Sequence, residues 1–561
     1  MDFRIETIET DILIVGGGTS GCYAAITLGD ISDKKVLIVD KANIKRSGCL
    51  AAGVNAINGY LNKGESKESY LENIIKEGAS IVREDLVYSI GENLNNVTTR
   101  LEEFGVPILK DENNNYIARG KRSIKINGEN IKVTLSNEVK KRKNIKILNN
   151  VNIVDYIIKE NRVIGAIGFS VKEDIFYLIY SKGIICTTGG ASGVYKPNNP
   201  GFSKHKMWYS PFNTGAGYAM GIRAGAEMTT FEMRFIALRC KDTIAPTGTI
   251  AQGIKAKQIN GYGEEYISNY GENITSIRLY STIEENKKGR GPCYLKTLGI
   301  EEELEKELYK SYLNMAPSQT LKWIDKGIGP RDENVEIDGT EPYIVGGHSA
   351  SGYWIDSNRS TTIKGLYAGG DVAGGSPKKY VTGALVEGEI AAKSILKYIV
   401  DININYLNDD EINKAFDTLF EFRNYKNVDY KINDIEEEMQ EVMDKYAGGI
   451  SSFYEYTNGS LKIAEEKIDK LLKSSNLLKA ENNYELMLIC ELIDRLYVAK
   501  VLITHMKARK ETRWRSYGEN KDYPRIDNNY LKYVNSIYKD KKVEIIYRDI
   551  VKKGEIYEHT D

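Results

Sequence analysis

The most ordered run of apolar and polar blocks in the chain lies in residues 11–40. Asp11-Ile12-Leu13-Ile14-Val15 is a short β-branched run, suited to a strand buried on both faces. The glycine turn Gly16-Gly17-Gly18-Thr19-Ser20-Gly21 follows, then a helix-like stretch over 22–28, then a second buried-type strand over 35–39 that ends at Asp40. Helical amphipathic spacing recurs over 65–105. The segments 145–148, 150–158, 163–169, 176–180 and 182–186 read as strands, and the last runs into Gly189-Gly190. Residues 254–330 are rich in Tyr, Lys and Glu and less regular, as in an inserted cap. A late strand over 366–368 meets Gly369-Gly370-Asp371 and a helix-like stretch over 383–396. Residues 405–515 read as charged helices, and the tail from 517 shows no regular pattern.

The first block has the G-x-G-x-x-G spacing inside a strand–turn–helix–strand–acid order, a far more specific signal than the glycines alone. Gly16 permits the tight turn, Gly18 lets backbone approach a pyrophosphate, and Gly21 lets the helix pack closely on the strand. Free N–H groups at the helix start, including that of Ser20, hold phosphate. Asp40 is placed to take ribose hydroxyls. The small residues from Lys45-Arg46-Ser47-Gly48 to Asn58 lack any period and fit backbone pressed against a flat ligand. A nicotinamide enzyme finishes its nucleotide site early in the chain. Here a second glycine turn and helix start, at Gly370 and Asp371, provide donors for the far end of a longer cofactor, which favours FAD over NAD.

Composition narrows the classes. The 561 residues exceed one hydrophobic core. With 77 Lys and Arg against 78 Asp and Glu, the chain has no global pull toward nucleic acid or an anionic membrane, so an anionic ligand needs a local cluster of donors. The six cysteines (Cys22, Cys49, Cys186, Cys240, Cys293, Cys490) form no C-x-x-C pair and no iron–sulfur ligand set. No signal peptide or bilayer-length apolar run is apparent, so a cytoplasmic protein without membrane insertion is expected. The expected fold is α/β: a Rossmann-type FAD-binding domain in two segments (1–235 and 344–403), an inserted α+β capping domain (236–343) and a helical C-terminal domain (404–561).

The fingerprint, Arg46-Ser47-Gly48 and Gly369-Gly370-Asp371 resemble the fumarate reductase/succinate dehydrogenase flavoprotein superfamily. A narrower set of segments resembles the α subunits of adenylylsulfate reductases within it. These are Asn55-Ala56-Ile57-Asn58, Trp208 with Phe212 to Tyr218, Arg234 to Asp242 with Pro246-Thr247-Gly248, Gly347-His348-Ser349 with Gly352-Tyr353-Trp354, the run from Gly370 to Glu389, and Glu511-Thr512-Arg513-Trp514.

The resemblance implies two-electron reduction of adenosine 5′-phosphosulfate (APS) to sulfite and AMP through a flavin N5–sulfite adduct. It also implies electrons from a ferredoxin-like iron–sulfur β subunit. It casts Arg239 and His348 as catalytic, holding the sulfate and phosphate groups over the flavin. Asn58, Glu129, Trp208, Gly248 and Arg278 are implied substrate contacts, with Arg278 stacked on adenine. FAD contacts are implied at Gly16, Gly18, Ser20, Gly21, Asp40, Lys41, Ser47, Gly48, Asn58, Gly189, Gly190, Gly370, Asp371 and Glu387. Gly48 stands where succinate dehydrogenases carry the histidine that binds FAD covalently, which implies non-covalent FAD. Gln252 stands where the family has leucine. Two other readings remain open: a fumarate reductase-like oxidoreductase acting on a small organic acid, and a flavin electron-transfer or scaffold subunit without its own substrate site.

Overall fold

The computed structural model describes the chain except residues 1–3, 63, 199–206, 249–253, 425–430, 516–517, 556 and 560–561. Gln252 therefore lies outside the described residues.

Strand Arg4–Val15 runs at the centre of a seven-stranded sheet. It pairs in parallel with Val36–Asp40 on one side and Ile175–Cys186 on the other. The continuous apolar runs work because successive side chains feed two different cores. Leu13, Val15, Leu37 and Val39 join the core on one face, while Ile12, Ile14, Val36 and Ile38 join the other. The predicted strands 176–180 and 182–186 are a single strand, Ile175–Cys186. Its first half pairs with Arg162–Ser170 and its last residues with the late strand Leu366–Ala368. Gly183 marks the change of partner, and a β-carbon there would press on Ile395 at 2.9 Å.

Helix Thr19–Ile31 leaves the glycine turn and packs beside helix Tyr380–Tyr398, and both serve the same core. Gly388 makes this possible, since a side chain there would collide with the backbone oxygen of Ser20. The late glycine turn is thereby brought against the early one.

The cap is built on a four-stranded antiparallel sheet in the order Leu238–Cys240, Val335–Gly339, Cys293–Leu295, Gln258–Ile259. Helix Thr275–Lys287 packs on it. C-terminal helices Asp409–Asn424, Ile432–Tyr446, Asn458–Ser475 and Asn483–Ala508 follow.

The tail departs from expectation. Tyr533–Lys539 and Lys542–Arg548 form a hairpin that pairs with Met228–Thr229, so the region after the helices is partly β. Its two turn residues, Asp540 and Lys541, both have positive φ (+49° and +63°). That geometry normally calls for Asn-Gly or Asp-Gly, so Asp-Lys hides the turn from the sequence.

Candidate active site

The early turn is shaped by its glycines. Gly16 sits at φ +101°, and a β-carbon there would lie 2.6 Å from Thr187 O. A side chain at Gly21 would collide with Gly16 O. Gly18 precedes helix Thr19–Ile31 and offers no side-chain cap, so the first N–H groups stay available to an anion. Asp40 is buried beside the turn and accepts from Gly17 N–H and Ser47 Oγ, each at 2.8 Å, and from Ala42 N–H at 2.8 Å. Its carboxylate thus locks the turn to the second strand. Gly48, at φ +75°, faces Gly18, with a built β-carbon 3.4 Å from Gly18 Cα. Lys41 turns away from this cradle: its Nζ bonds Phe212 O at 2.9 Å and Glu491 at 2.5 Å.

The far half of the cradle comes from the late turn. Gly370 N–H donates to Glu387 Oε2 at 2.9 Å. Lys379 Nζ donates to Gly370 O and Ala373 O at 2.7 Å and to Glu387 at 3.0 Å. Burial pushes the Lys379 ammonium below the usual lysine range against the pull of Glu387. Ser20 lies against Gly369 and Gly370, and Ser20 Oγ and Glu387 Oε1 are buried without a hydrogen-bond partner among the described residues. Tyr209 links the third glycine pair: its hydroxyl accepts from Gly190 N–H at 3.0 Å and donates to Asp371 at 2.7 Å. Gly189 beside it has φ +80°. Burial raises the Asp371 carboxyl, opposed by the Tyr209 hydrogen bond. A glycine floor, an uncapped helix start and orphaned buried oxygens from two distant segments fit an extended dinucleotide.

A second wall adjoins that cradle. Gly347 is pressed against the Asp371 carboxylate, which places His348 at the edge of the late turn. The imidazole sits among Trp208, Phe235 and Tyr380, with ring centroids 5.0, 4.6 and 5.0 Å away. Its Nδ1 is buried without a partner among the described residues. Burial, with help from the Lys378 charge, pushes its pKa down to about 3, so the ring is neutral at ordinary pH.

Arg239 is joined to this wall by a relay. Trp208 N–H donates to Tyr343 Oη at 2.9 Å, Tyr343 donates to Glu341, and Glu341 accepts from Asn198 N–H at 3.2 Å. Asn198 O then accepts from Arg239 at 3.5 Å. The guanidinium is buried on cap strand Leu238–Cys240 and donates to Thr243 O at 2.9 Å, while its Nε has no hydrogen-bond partner among the described residues.

The remaining predicted residues divide. Arg278, on cap helix Thr275–Lys287, lies within electrostatic reach of Tyr380, Lys378 and Glu77, which places it at the rim of the His348 wall. Asn58 underpins the site, donating to Lys379 O at 3.3 Å and accepting from Thr382 Oγ1. Glu129 stands against Gly53, whose φ of +76° brings the two backbones together. A side chain at Gly248 would meet no atom within 4 Å among the described residues. Residue-by-residue reading missed Lys378, Tyr380, Phe235 and Tyr343. The signal for the first two was Ser376-Pro377-Lys378-Lys379-Tyr380, a basic–aromatic cluster between the late glycine turn and its helix.

Comparison with known proteins agrees with this architecture. The FAD binding domain model matches residues 11–384, and the fumarate reductase flavoprotein C-term model matches residues 436–558. The chain is 28% identical over 628 aligned positions to the adenylylsulfate reductase α subunit of Megalodesulfovibrio gigas, covering 96% of this chain and 94% of that one. Its fold matches adenylylsulfate reductase from the hyperthermophile Archaeoglobus fulgidus at a TM-score of 0.92 and 31% identity, over 100% of this chain and 98% of that one. An adenosine-5-phosphosulfate reductase in complex with sulfite, as a covalent adduct, matches at a TM-score of 0.93 and 31% identity over the same shares. Fold and site together define a flavin-dependent oxidoreductase that binds FAD. Within that class, the chain belongs to the adenylylsulfate reductase α-subunit family. Among its described residues no helix is long and apolar enough to cross a membrane.

Proposed function

We propose that this chain reduces APS by two electrons to sulfite and AMP. One observation carries the reading. The partly buried His348 imidazole, whose Nδ1 is buried without a hydrogen-bond partner among the described residues, stands at the edge of the FAD cradle and is joined through Trp208 and Tyr343 to a buried arginine. The likeness to an enzyme solved with sulfite as a covalent adduct supports it. FAD held by the two glycine turns would supply, in its reduced form, the two electrons that convert the sulfate-level sulfur of APS to sulfite as AMP leaves.

The chain's own residues do the rest. Arg239 presents a planar guanidinium fork that suits a tetrahedral oxyanion. His348, neutral in this setting, offers a hydrogen bond rather than a full charge. Trp208, Phe235 and Tyr380 surround the imidazole with aromatic rings, which lowers the polarity around it and strengthens its polar contact with the ligand. Gly48 has no side chain to bond the flavin, in keeping with non-covalent FAD. The six cysteines are free thiols, so we take electron supply from a separate ferredoxin-like iron–sulfur chain.

A spectral titration tests the reading. Sulfite added to the purified, FAD-loaded chain is expected to bleach the flavin band, and AMP is expected to change that bleaching further. A fumarate reductase-like enzyme would ignore AMP. A scaffold subunit would show no spectral change linked to AMP or sulfite.

A further inference from the structure

Lys378 and Lys379 are sequence neighbours with opposite destinations. Lys379 points inward and is consumed by Gly370 O, Ala373 O and Glu387. Lys378 turns the other way and pairs with Glu77, with Nζ to Oε2 at 2.5 Å and side chains 11% and 10% exposed. This split is held by unusual backbone, since Lys378 and Tyr380 both sit at positive φ, +55° and +51°. Neither residue is glycine, and strain of this kind gathers at ligand clamps.

The surroundings carry more positive charge than the pair itself cancels. Arg278 acts on both Lys378 and Glu77. Among the described residues its own hydrogen bond goes to Thr275 Oγ1 at 3.3 Å, and no carboxylate lies within ion-pair distance. Lys378 is ion-paired with Glu77 while Arg278 feels the same carboxylate only at longer range, and the Lys378 charge also reaches His348. On its outer side Glu77 lines a cleft of about 470 Å³ together with Lys76, Tyr280, Arg513, Trp514 and Arg525. The carboxylate thus stands between a basic cleft and the site wall.

We propose that Lys378 is a specificity residue for the phosphate of the nucleotide ligand, and that Glu77 is its resting counterion, displaced when the ligand arrives. This rests on the adenylyl-substrate reading above. The phosphate of AMP, or the phosphosulfate of APS, carries about two negative charges against the one of a carboxylate, and the two anions repel each other, so Glu77 releases Lys378 as the ligand engages it. A small anion without the phosphate, such as free sulfite, has no need of this exchange.

The test is a double-mutant cycle on the FAD-loaded full chain, with AMP affinity read by calorimetry. K378Q is expected to weaken AMP binding about tenfold or more, the effect of losing a hydrogen bond to a charged group. E77Q is nearly isosteric and removes the competitor, so AMP should bind about threefold or more tighter. That gain should vanish in the K378Q background. The ratio of flavin to protein absorbance should match wild type in all three variants, which checks that each still holds its flavin.

A purely structural ion pair would make both single variants weaken AMP binding, or leave it unchanged, and either result overturns the proposal. So does an E77Q gain that persists without Lys378. Wild-type protein that binds no AMP would instead sink the substrate reading itself, a distinct failure.

Discussion

His348 illustrates how a single side chain is set by its surroundings. Three aromatic rings and a nearby ammonium leave the imidazole neutral, with a pKa of about 3 against an ordinary value near 6.5. The folded chain therefore binds fewer protons at this group than the unfolded chain does between those two pH values. Stability from His348 is fully present above the unfolded value and is lost as pH falls through that window, with a slope of at most about 1.4 kcal/mol per pH unit. His348→Gln should flatten the acid limb of a urea-midpoint-versus-pH curve, and an unchanged limb would mean the ring is solvated. Arg239 gives a second residue-level prediction. Arg239→Lys keeps the charge but loses the fork, and should lower turnover by about a hundredfold, the scale of one lost oxyanion donor, while FAD content stays constant. Unaltered turnover would reduce Arg239 to the clasp it forms on Thr243 O.

At the scale of elements, the site depends on how closely helix Tyr380–Tyr398 approaches the start of helix Thr19–Ile31. Gly388 sets that distance through its contact with Ser20. Gly388→Ala should push the helices apart, at about 1–3 kcal/mol of stability, the usual range for overpacking. The purified variant should also retain less FAD, measurable from the ratio of flavin to protein absorbance. A second element-level prediction concerns the ion cluster beneath the late turn. Lys379→Met removes the nearest cation from fully buried Glu387, leaving it Gly370 N–H at 2.9 Å and the Arg359 guanidinium at 3.9 Å among the described residues. The expected loss is about 3–5 kcal/mol in chemical denaturation. Adding Glu387→Gln should recover part of it, whereas a double variant as unstable as the single one would assign the loss to the carbonyl contacts instead.

Over the whole molecule, the parts that were legible in the sequence are those encoded by near neighbours. Two-faced burial of Ile12 to Val15 and Val36 to Val39, the turn at Gly16 to Gly21 and the late strand–turn–helix at Leu366 to Leu396 follow from local spacing, because strand alternation and glycine dihedrals need no distant partner. The closing hairpin was hidden for an equally local reason, a left-handed turn made without glycine at Asp540-Lys541. The chemistry of the second wall could not be read in this way. Glu77, Arg239, Arg278, His348 and Lys378 are far apart along the chain, and nothing in their local sequence states which will meet. The packing of cap on sheet and of one helix against another decides that Lys378 faces Glu77 while Lys379 turns inward. It also decides that His348 is held neutral. The sequence by itself determined a dinucleotide cradle, since backbone geometry is written residue by residue. Only the tertiary structure determined the electrostatics of the site beside it, because burial and charge separation are properties of the assembled fold.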